Sequence, residues 1–219
     1  MRAARGALAA VAGIALVGGG VFAANEIKDN IAQSQRCESV KAFVPVKKIS
    51  DAEPQVAILG DSYTAGDGLA DRTKGWAYQV GTDLAGVGGT GFVNGGYCGD
   101  HTYMERLDTV LATSPGTLII QGGLNDWGSA EKVADAALAV IDRADDTVPR
   151  VVIVGPPDVP GRDGEDKVDT ALHAAAATMN AEYVSALGWD DLEYLPDETH
   201  LTEAGHAAFA ARVASAVKD

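Results

Sequence analysis

The chain has 219 residues, of which 31 are acidic and 17 are basic, so its formal net charge is −14. Hydrophobic residues make up 47% of the chain, which is ordinary for one globular domain and too high for a disordered protein. The negative charge argues against nucleic acid as a partner, because neutralising phosphates requires a basic surface. It also argues against attraction to an anionic membrane surface.

Residues 1–25 contain no acidic residue and differ from the rest of the chain. Arg2 and Arg5 precede an uncharged run, residues 6–25, which consists mostly of Ala, Val and Gly. This pattern is typical of a secretory signal peptide, and the run is also about long enough to anchor the chain in a bilayer. Both interpretations predict an exported protein, which is either secreted or held at a membrane through this segment alone.

Residues 26–54 are predicted to connect this segment to a domain at residues 55–219. Pro45, Pro54 and the polar run at residues 47–53 are typical of a loop. Ile27 and Ile31 lie four residues apart, which permits one short helix. We expect a tether or stalk.

Cys37 and Cys98 are the two cysteines of the chain. In an exported protein an even pair favours a disulfide, with two free thiols as the alternative. The four histidines do not pair at a spacing of three or four residues, so we expect no metal site.

From residue 55 onward, short apolar runs that end in glycine alternate with helical patterns. The runs predict buried strands at Gln55–Leu59, Thr117–Gln121 and Arg150–Val154, with a shorter one at Phe92–Asn94. The helical patterns lie at Trp76–Ala85, Tyr103–Ala112, Ser129–Arg143, Lys167–Leu187 and Thr202–Val217. This alternation predicts a three-layer α/β fold. Because such sheets bind ligands beyond the carboxyl ends of their strands, the residues after each strand are the candidates for a site.

A serine follows the first predicted strand, in the sequence GDSY at residues 60–63. Directly after a strand, Ser62 would project from the end of the sheet, and its backbone N–H could point at a developing oxyanion. A hydroxyl is a weak nucleophile and needs a base within hydrogen-bond distance. Alone, the motif is more typical of a helix cap, so its interpretation depends on the rest of the chain.

A candidate base lies near the C-terminus, in the sequence DETH at residues 197–200. Asp197, three residues before His200, can reach Nδ1 of the imidazole and leave Nε2 free to accept the proton of a serine. Asn125 follows the second predicted strand, in the sequence GGLND at residues 122–126. A neutral amide at this position is a suitable hydrogen-bond donor to an oxyanion.

A glycine-rich segment, NGGYCGD at residues 94–100, would let a backbone N–H approach a ligand closely. The nearby glycines at residues 88–91 do not form a dinucleotide-binding fingerprint, because Asn94 occupies its third glycine position. The chain also lacks the Gly-Lys-Ser/Thr of a phosphate-binding loop. We therefore expect no cofactor.

Taken together, the serine motif, the glycine-rich segment, Asn125 and the Asp-x-x-His motif occur in the order that is typical of one family. The chain resembles the SGNH (GDSL-like) hydrolases, a family of esterases, lipases and carbohydrate deacetylases, over residues 55–217. The resemblance implies a flavodoxin-like α/β/α sandwich with a parallel sheet of about five strands. It also implies that Ser62 is the nucleophile, His200 the general base and acid, and Asp197 the carboxylate that orients His200.

By the same resemblance, the oxyanion donors would be the N–H groups of Ser62 and Gly99 and the side chain of Asn125, with Gly96 as the alternative glycine. If Cys37 pairs with Cys98, the bridge would brace the loop that carries Gly99. Further candidates for the substrate pocket are Asp61, Tyr63, His101 and Trp127.

We expect an exported serine hydrolase that cleaves carboxylic esters through an acyl-enzyme. The sequence has no long apolar lid, which favours short acyl groups on a glycan or on a small lipid ester. Two alternatives are an acyltransferase that acylates glycan hydroxyls and a catalytically inactive glycan-binding module. The expected partner is the small-molecule or glycan ester substrate, and we expect a monomer.

Overall fold

A computed structural model describes residues 28–41, 44–160 and 162–217, so the predicted signal or anchor segment, residues 1–25, lies outside the described residues. The short apolar runs of the sequence form the centre of one sheet. The strands are β1 Lys47–Lys48, β2 Val56–Gly60, β3 Asp83–Gly86, β4 Thr117–Gln121, β5 Arg150–Val154 and β6 Glu182–Val184. Their order in the sheet is β1-β3-β2-β4-β5-β6. The edge strand β1 is antiparallel to β3, and the other neighbouring strands are parallel.

The five parallel strands have the flavodoxin-like order, in which the first strand lies between the second and the third. The winding of the chain reverses between β2 and β4, and a crevice at this switch point is the usual place for a ligand in such sheets. Gly60 at the end of β2 pairs in register with Gln121 at the end of β4. The segments that carry Ser62 and Asn125 therefore leave the sheet side by side, and the predicted fold is confirmed.

Helices cover both faces of the sheet. The helices are α1 at residues 28–40, α2 Ser62–Ala65, α3 Trp76–Val80, α4 Tyr103–Leu111, α5 Ala130–Asp145, α6 Glu165–Met179 and α7 Glu203–Ala216, with short 3-10 helices at Arg72–Lys74, Gly96–Cys98 and Leu124–Ser129. Successive strand residues face opposite sides. Leu59 packs in a core with α4, α5 and α6, whereas Ile58 packs in a second core with α2, α3 and α7.

Two of the helices are shorter than predicted, because the predicted range of each also contains a strand. The helix predicted at Trp76–Ala85 ends before Gly81, and β3 follows. The helix predicted at Lys167–Leu187 ends at Met179, its cap residue Asn180 has a left-handed φ of 54°, and β6 follows. The strand predicted at Phe92–Asn94 is wrong, since these backbone N–H groups donate to the side chain of Asp126 and not to a neighbouring strand.

The described part of the predicted connector, residues 26–54, is attached to the domain. β1 pairs with β3, and the N–H of Ile49 donates to the carbonyl of Thr82 at 2.7 Å. Helix α1 is joined to the glycine-rich segment by the predicted disulfide between Cys37 and Cys98, whose Cα atoms lie 4.8 Å apart. These residues therefore belong to the folded domain and are not a free tether. None of the helices in the described part of the chain is long and apolar enough to cross a membrane.

Candidate active site

Ser62 is the first residue of α2 and lies at the carboxyl end of β2. Asp61 caps this helix, since its Oδ1 accepts the backbone N–H of Tyr63 at 2.9 Å. The turn is tight, because a methyl group on Gly60 would lie 2.1 Å from Oγ1 of Thr64. The chain thus turns sharply as it leaves the sheet. At this turn Ser62 is 9% exposed to solvent.

The loop before α7 places the predicted base against its carboxylate. Nδ1 of His200 lies 2.7 Å from Oδ2 of Asp197, and Oδ1 of Asp197 accepts the backbone N–H groups of Thr199 and His200 at 3.1 and 2.9 Å. Partial burial acts to raise the pKa of Asp197, but these hydrogen bonds outweigh it and lower the pKa to about 2. An ionised carboxylate only accepts hydrogen bonds, so Nδ1 carries the proton and Nε2 is left as an acceptor.

One long-range hydrogen bond joins the segments of the predicted nucleophile and base. The hydroxyl of Tyr63 donates to the carbonyl of Thr199 at 2.6 Å, so Ser62 and His200 are each the neighbour of a residue in this bond. The loop after α2 also contacts the base, since a methyl group on Gly68 would lie 3.3 Å from Cβ of His200. The fold therefore brings Ser62 and His200 to the same end of the sheet.

Asn125 lies in the 3-10 helix that follows β4, and its side chain is held in place. Its Nδ2 donates to the backbone carbonyl of Thr90 at 2.8 Å, and the backbone carbonyl of Asn125 accepts from Nδ2 of Asn94 at 3.1 Å. A side-chain amide has two N–H groups, so the second remains for another acceptor. This arrangement suits the predicted role of Asn125 as an oxyanion donor.

The glycine-rich segment has a different geometry from the one that the resemblance implies. The N–H of Gly99 donates to the carbonyls of Gly95 and Gly96, both at 3.1 Å. The N–H of Gly96, the alternative donor, is bound to Oδ1 of Asn94 at 2.9 Å. An oxyanion role for Gly99 therefore requires this turn to open, and it stays a prediction.

Asp126 is a buried residue whose role the sequence analysis missed. Its carboxylate accepts the backbone N–H groups of residues 92, 93 and 94 at 2.9, 3.0 and 2.9 Å. Burial raises the pKa of Asp126, and the three hydrogen bonds oppose that shift. Asp126 thereby holds the start of the glycine-rich segment beside Asn125. Three N–H groups from consecutive residues are unusual partners for one side chain, and no sequence pattern signals them.

Arg106 of α4 is a second buried residue that the sequence analysis missed. Its guanidinium donates to the carbonyl of Ala85 at 2.7 Å and to the carbonyl of Gly60 and the hydroxyl of Thr90 at 3.1 and 2.9 Å. Its Nε donates to the carbonyl of His101 at 3.1 Å. Burial lowers the pKa of Arg106 to about 10, so it stays charged at neutral pH. One side chain therefore ties the ends of β2 and β3 to Thr90 and His101, which lie on either side of the glycine-rich segment.

The four predicted pocket residues differ in how far they are buried. Asp61 and Tyr63 are buried, and their side chains cap α2 and donate to the carbonyl of Thr199, respectively. Trp127 is 55% exposed and lies beside the loop before α6. His101 is half-buried, and its Nδ1 lies 2.6 Å from Oδ1 of Asp100.

One group of potential metal ligands is compact among the described residues. The ligand atoms of Cys98, Asp100 and His101 lie within 4.8 Å of one another. The sulfur of Cys98 is bonded to Cys37, so its thiolate is not available. Two donors are fewer than a structural or catalytic zinc site uses.

Residues 58–208 match the family of GDSL-like lipases and acylhydrolases. Since the match covers more than half of the chain, the protein belongs to this family. No curated protein gives a significant match to the chain.

Solved structures with the same fold include hydrolases of low sequence identity. The acetylxylan esterase Axe2 from Geobacillus stearothermophilus superposes with a TM-score of 0.59 and 14% identity, over 79% of this chain and 97% of its own. TesA gives a TM-score of 0.60 and 20% identity over 75% and 98% of the two chains. LAE5, an alpha/beta hydrolase from the metagenome of Lake Arreo, Spain, gives 0.57 and 16% over 78% and 97%. At these identities the likeness establishes the fold.

Proposed function

We propose that the protein is an exported serine hydrolase that cleaves carboxylic esters through an acyl-enzyme. The observation that carries this proposal is the 2.7 Å contact between His200 and Asp197, in a loop that is hydrogen-bonded to the residue after Ser62. Membership of a family of lipases and acylhydrolases supports the reaction class.

In the proposed reaction, Oγ of Ser62 attacks the ester carbonyl while Nε2 of His200 takes the serine proton. The negative charge that develops on the carbonyl oxygen is stabilised by the N–H of Ser62 and by the second N–H of the Asn125 amide. His200 then gives its proton to the leaving alcohol. Water attacks the acyl-enzyme with His200 as base, which releases the acid and restores Ser62.

Two further parts of the proposal concern substrate and location. Short acyl groups on glycans or on small lipid esters suit a sequence without a long apolar lid, and one structural neighbour is an acetylxylan esterase. Export is supported by the basic and apolar start of the sequence and by the disulfide between Cys37 and Cys98, since disulfides persist in oxidising compartments.

The test is to measure hydrolysis of p-nitrophenyl esters and acetylated glycans by the wild type and by Ser62→Ala. We expect kcat to fall by at least about a thousandfold in Ser62→Ala, because no other group replaces the nucleophile. A fluorophosphonate probe should label the wild type and not the variant. Ser215→Ala, on the exposed side of α7, is the matched control and should behave as the wild type.

Ester hydrolysis that persists in Ser62→Ala would show that another group is the nucleophile. A wild type that neither reacts with the probe nor cleaves any ester would favour a binding module. Formation of an acylated product only when glycan acceptors are supplied would favour acyl transfer.

A further inference from the structure

A groove lies beside helix α1, at the residues that follow β3 and α2. Its volume is about 430 Å³. Side chains from α1, from the loop after α2 and from the glycine-rich segment line it: Arg36, Ser39, Val40, Asp67, Arg72 and Tyr97. The groove is therefore built partly from residues that the sequence analysis assigned to a connector.

One end of the groove adjoins the predicted nucleophile and base. Gly88 lines the groove, and a methyl group on it would lie 3.7 Å from Cβ of Ser62. Gly68 also lines it, and a methyl group there would lie 3.3 Å from Cβ of His200. The groove therefore lies next to Ser62 and His200, and the carboxylate of Asp67 is the side-chain group nearest to its Gly88 wall.

Three contacts hold α1 against the glycine-rich segment. Cys37 is bonded to Cys98, and Nε2 of Gln33 donates to the carbonyl of Tyr97 at 3.3 Å. The guanidinium of Arg36 lies over the ring of Tyr97, 5.2 Å from its centre. Because α1 is covalently linked to this segment, it is a fixed wall of the groove.

The charges in the groove favour an anion at Arg36. The carboxylate of Asp67 is already paired with Arg72, whose Nη2 lies 2.7 Å from Oδ1 of Asp67. The guanidinium of Arg36 lies over the ring of Tyr97 and is not paired with a carboxylate among the described residues. A guanidinium has five N–H donors in a fork that matches the oxygens of a carboxylate or a phosphate. The net charge of −14 repels anions at long range, so an anionic ester needs such a local cation.

We propose that α1 forms part of the substrate site and that Arg36 binds an anionic group of the ester, which makes the enzyme selective for esters that carry a carboxylate or phosphate near the scissile bond. The inference rests on the proposed function, because the groove serves substrate selection only if Ser62 cleaves esters. It adds a substrate class that the catalytic residues alone do not specify.

The test compares kcat/KM for two pairs of esters. In the pair para-acetoxybenzoate and para-acetoxybenzamide, the anion lies on the alcohol side. In the pair of the p-nitrophenyl monoester of glutaric acid and p-nitrophenyl butyrate, it lies on the acyl side. We expect Arg36→Gln to lower the ratio of anionic to neutral kcat/KM by about tenfold in at least one pair, since a charge-assisted hydrogen bond is lost. Arg36→Lys, which keeps the charge, should retain part of the selectivity.

Arg143→Gln is the matched control, because Arg143 of α5 pairs with Asp108 of α4, outside the lining of the groove, and its loss should leave the ratio unchanged. An unchanged ratio for Arg36→Gln in both pairs would overturn the inference. If the wild type cleaves the neutral esters and Ser62→Ala does not, the proposed function is supported independently of the ratio of anionic to neutral kcat/KM. If the wild type cleaves neither member of either pair, the proposed function and the inference both fail.

Discussion

Asp61 and Asp197 are carboxylates of the same site with opposite pKa shifts. Asp61 is fully buried, and burial raises its pKa to about 7, although its hydrogen bond from the N–H of Tyr63 acts against this. Asp197 is half-exposed, and hydrogen bonds from His200 lower its pKa to about 2. The carboxylate of Asp197 is therefore ionised beside His200 at neutral pH. The carboxyl group of Asp61, next to Ser62 in the chain, titrates near pH 7.

Asp61→Asn should make the protein more stable above about pH 7. The folded-state pKa of Asp61 lies above its usual value of 3.8, so its contribution to stability is complete below about pH 4 and is lost as the pH rises through 7. Each unit of pKa shift corresponds to about 1.4 kcal/mol. Asparagine keeps the oxygen that caps α2 and does not ionise. Thermal unfolding at about pH 8 should show a higher midpoint for the variant, and the difference should shrink towards pH 4.

Asp135→Asn, at an exposed position on α5, controls for the removal of one negative charge. It should follow the wild type at both pH values. Parallel pH profiles for the wild type and Asp61→Asn would mean that Asp61 does not titrate in the expected window.

Among the elements, α4 does most to connect the loops of the site. It begins with a capping box, in which the side chains of Thr102 and Glu105 each accept the other residue's backbone N–H. Arg106 follows in the first turns of α4, and its N–H groups donate to carbonyls at the ends of β2 and β3 and to the carbonyl of His101. The position of the serine turn relative to Asn125 therefore depends on α4.

Arg106→Met should destabilise the fold and lower kcat. It removes the guanidinium donors to the buried carbonyls of Ala85 and Gly60, although Gly60 keeps the N–H of Val87 at 3.1 Å, and we expect the loss to cost about 3 kcal/mol. Arg106 is a positioning residue, so kcat should fall more than KM rises, and Arg106→Lys should restore part of both activity and stability. Urea unfolding and steady-state kinetics measure the two effects. Arg143→Met, a half-exposed arginine of α5, is the control, and equal stability of Arg106→Met and this control would contradict the expectation.

At the scale of the whole molecule, the disulfide closes a loop that contains β1, β2 and β3. Cys37 and Cys98 are 61 residues apart, and their bond fixes α1 beside the groove. A cross-link over a loop of this length restricts the unfolded chain strongly, because it removes many of its extended conformations.

The double variant Cys37→Ser, Cys98→Ser should lose about 4 kcal/mol of unfolding free energy on the chain-entropy estimate. Urea unfolding of the wild type with and without a reductant provides the comparison. The reduced wild type and the double variant should have the same midpoint, and the reductant should not affect the variant. If reduction leaves the midpoint of the wild type unchanged, the bridge does not contribute to stability.

Features that depend on short stretches of chain were accessible from the sequence. The sequence predicts the strand Thr117–Gln121 at its observed bounds, because a short apolar run followed by glycines is typical of a buried parallel strand. The contact between Asp197 and His200 was predictable because it spans three residues of one loop. The stop before β6 was missed because the alanine-rich helix pattern continues past Asn180. The roles of Arg106 and Asp126 were missed because their partners are backbone atoms, which have no sequence signature.

The sequence by itself indicates the family through the order of its motifs, predicts the three central strands from their apolar runs, and favours a disulfide between Cys37 and Cys98 over two free thiols. Only the tertiary structure decided which distant segments meet: Tyr63 with Thr199, Arg106 with Gly60, and α1 with the groove beside Ser62. The physical reason is that a buried polar group must find a hydrogen-bond partner wherever the packed chain supplies one. That choice depends on the arrangement of whole elements, so a reading along the chain does not contain it.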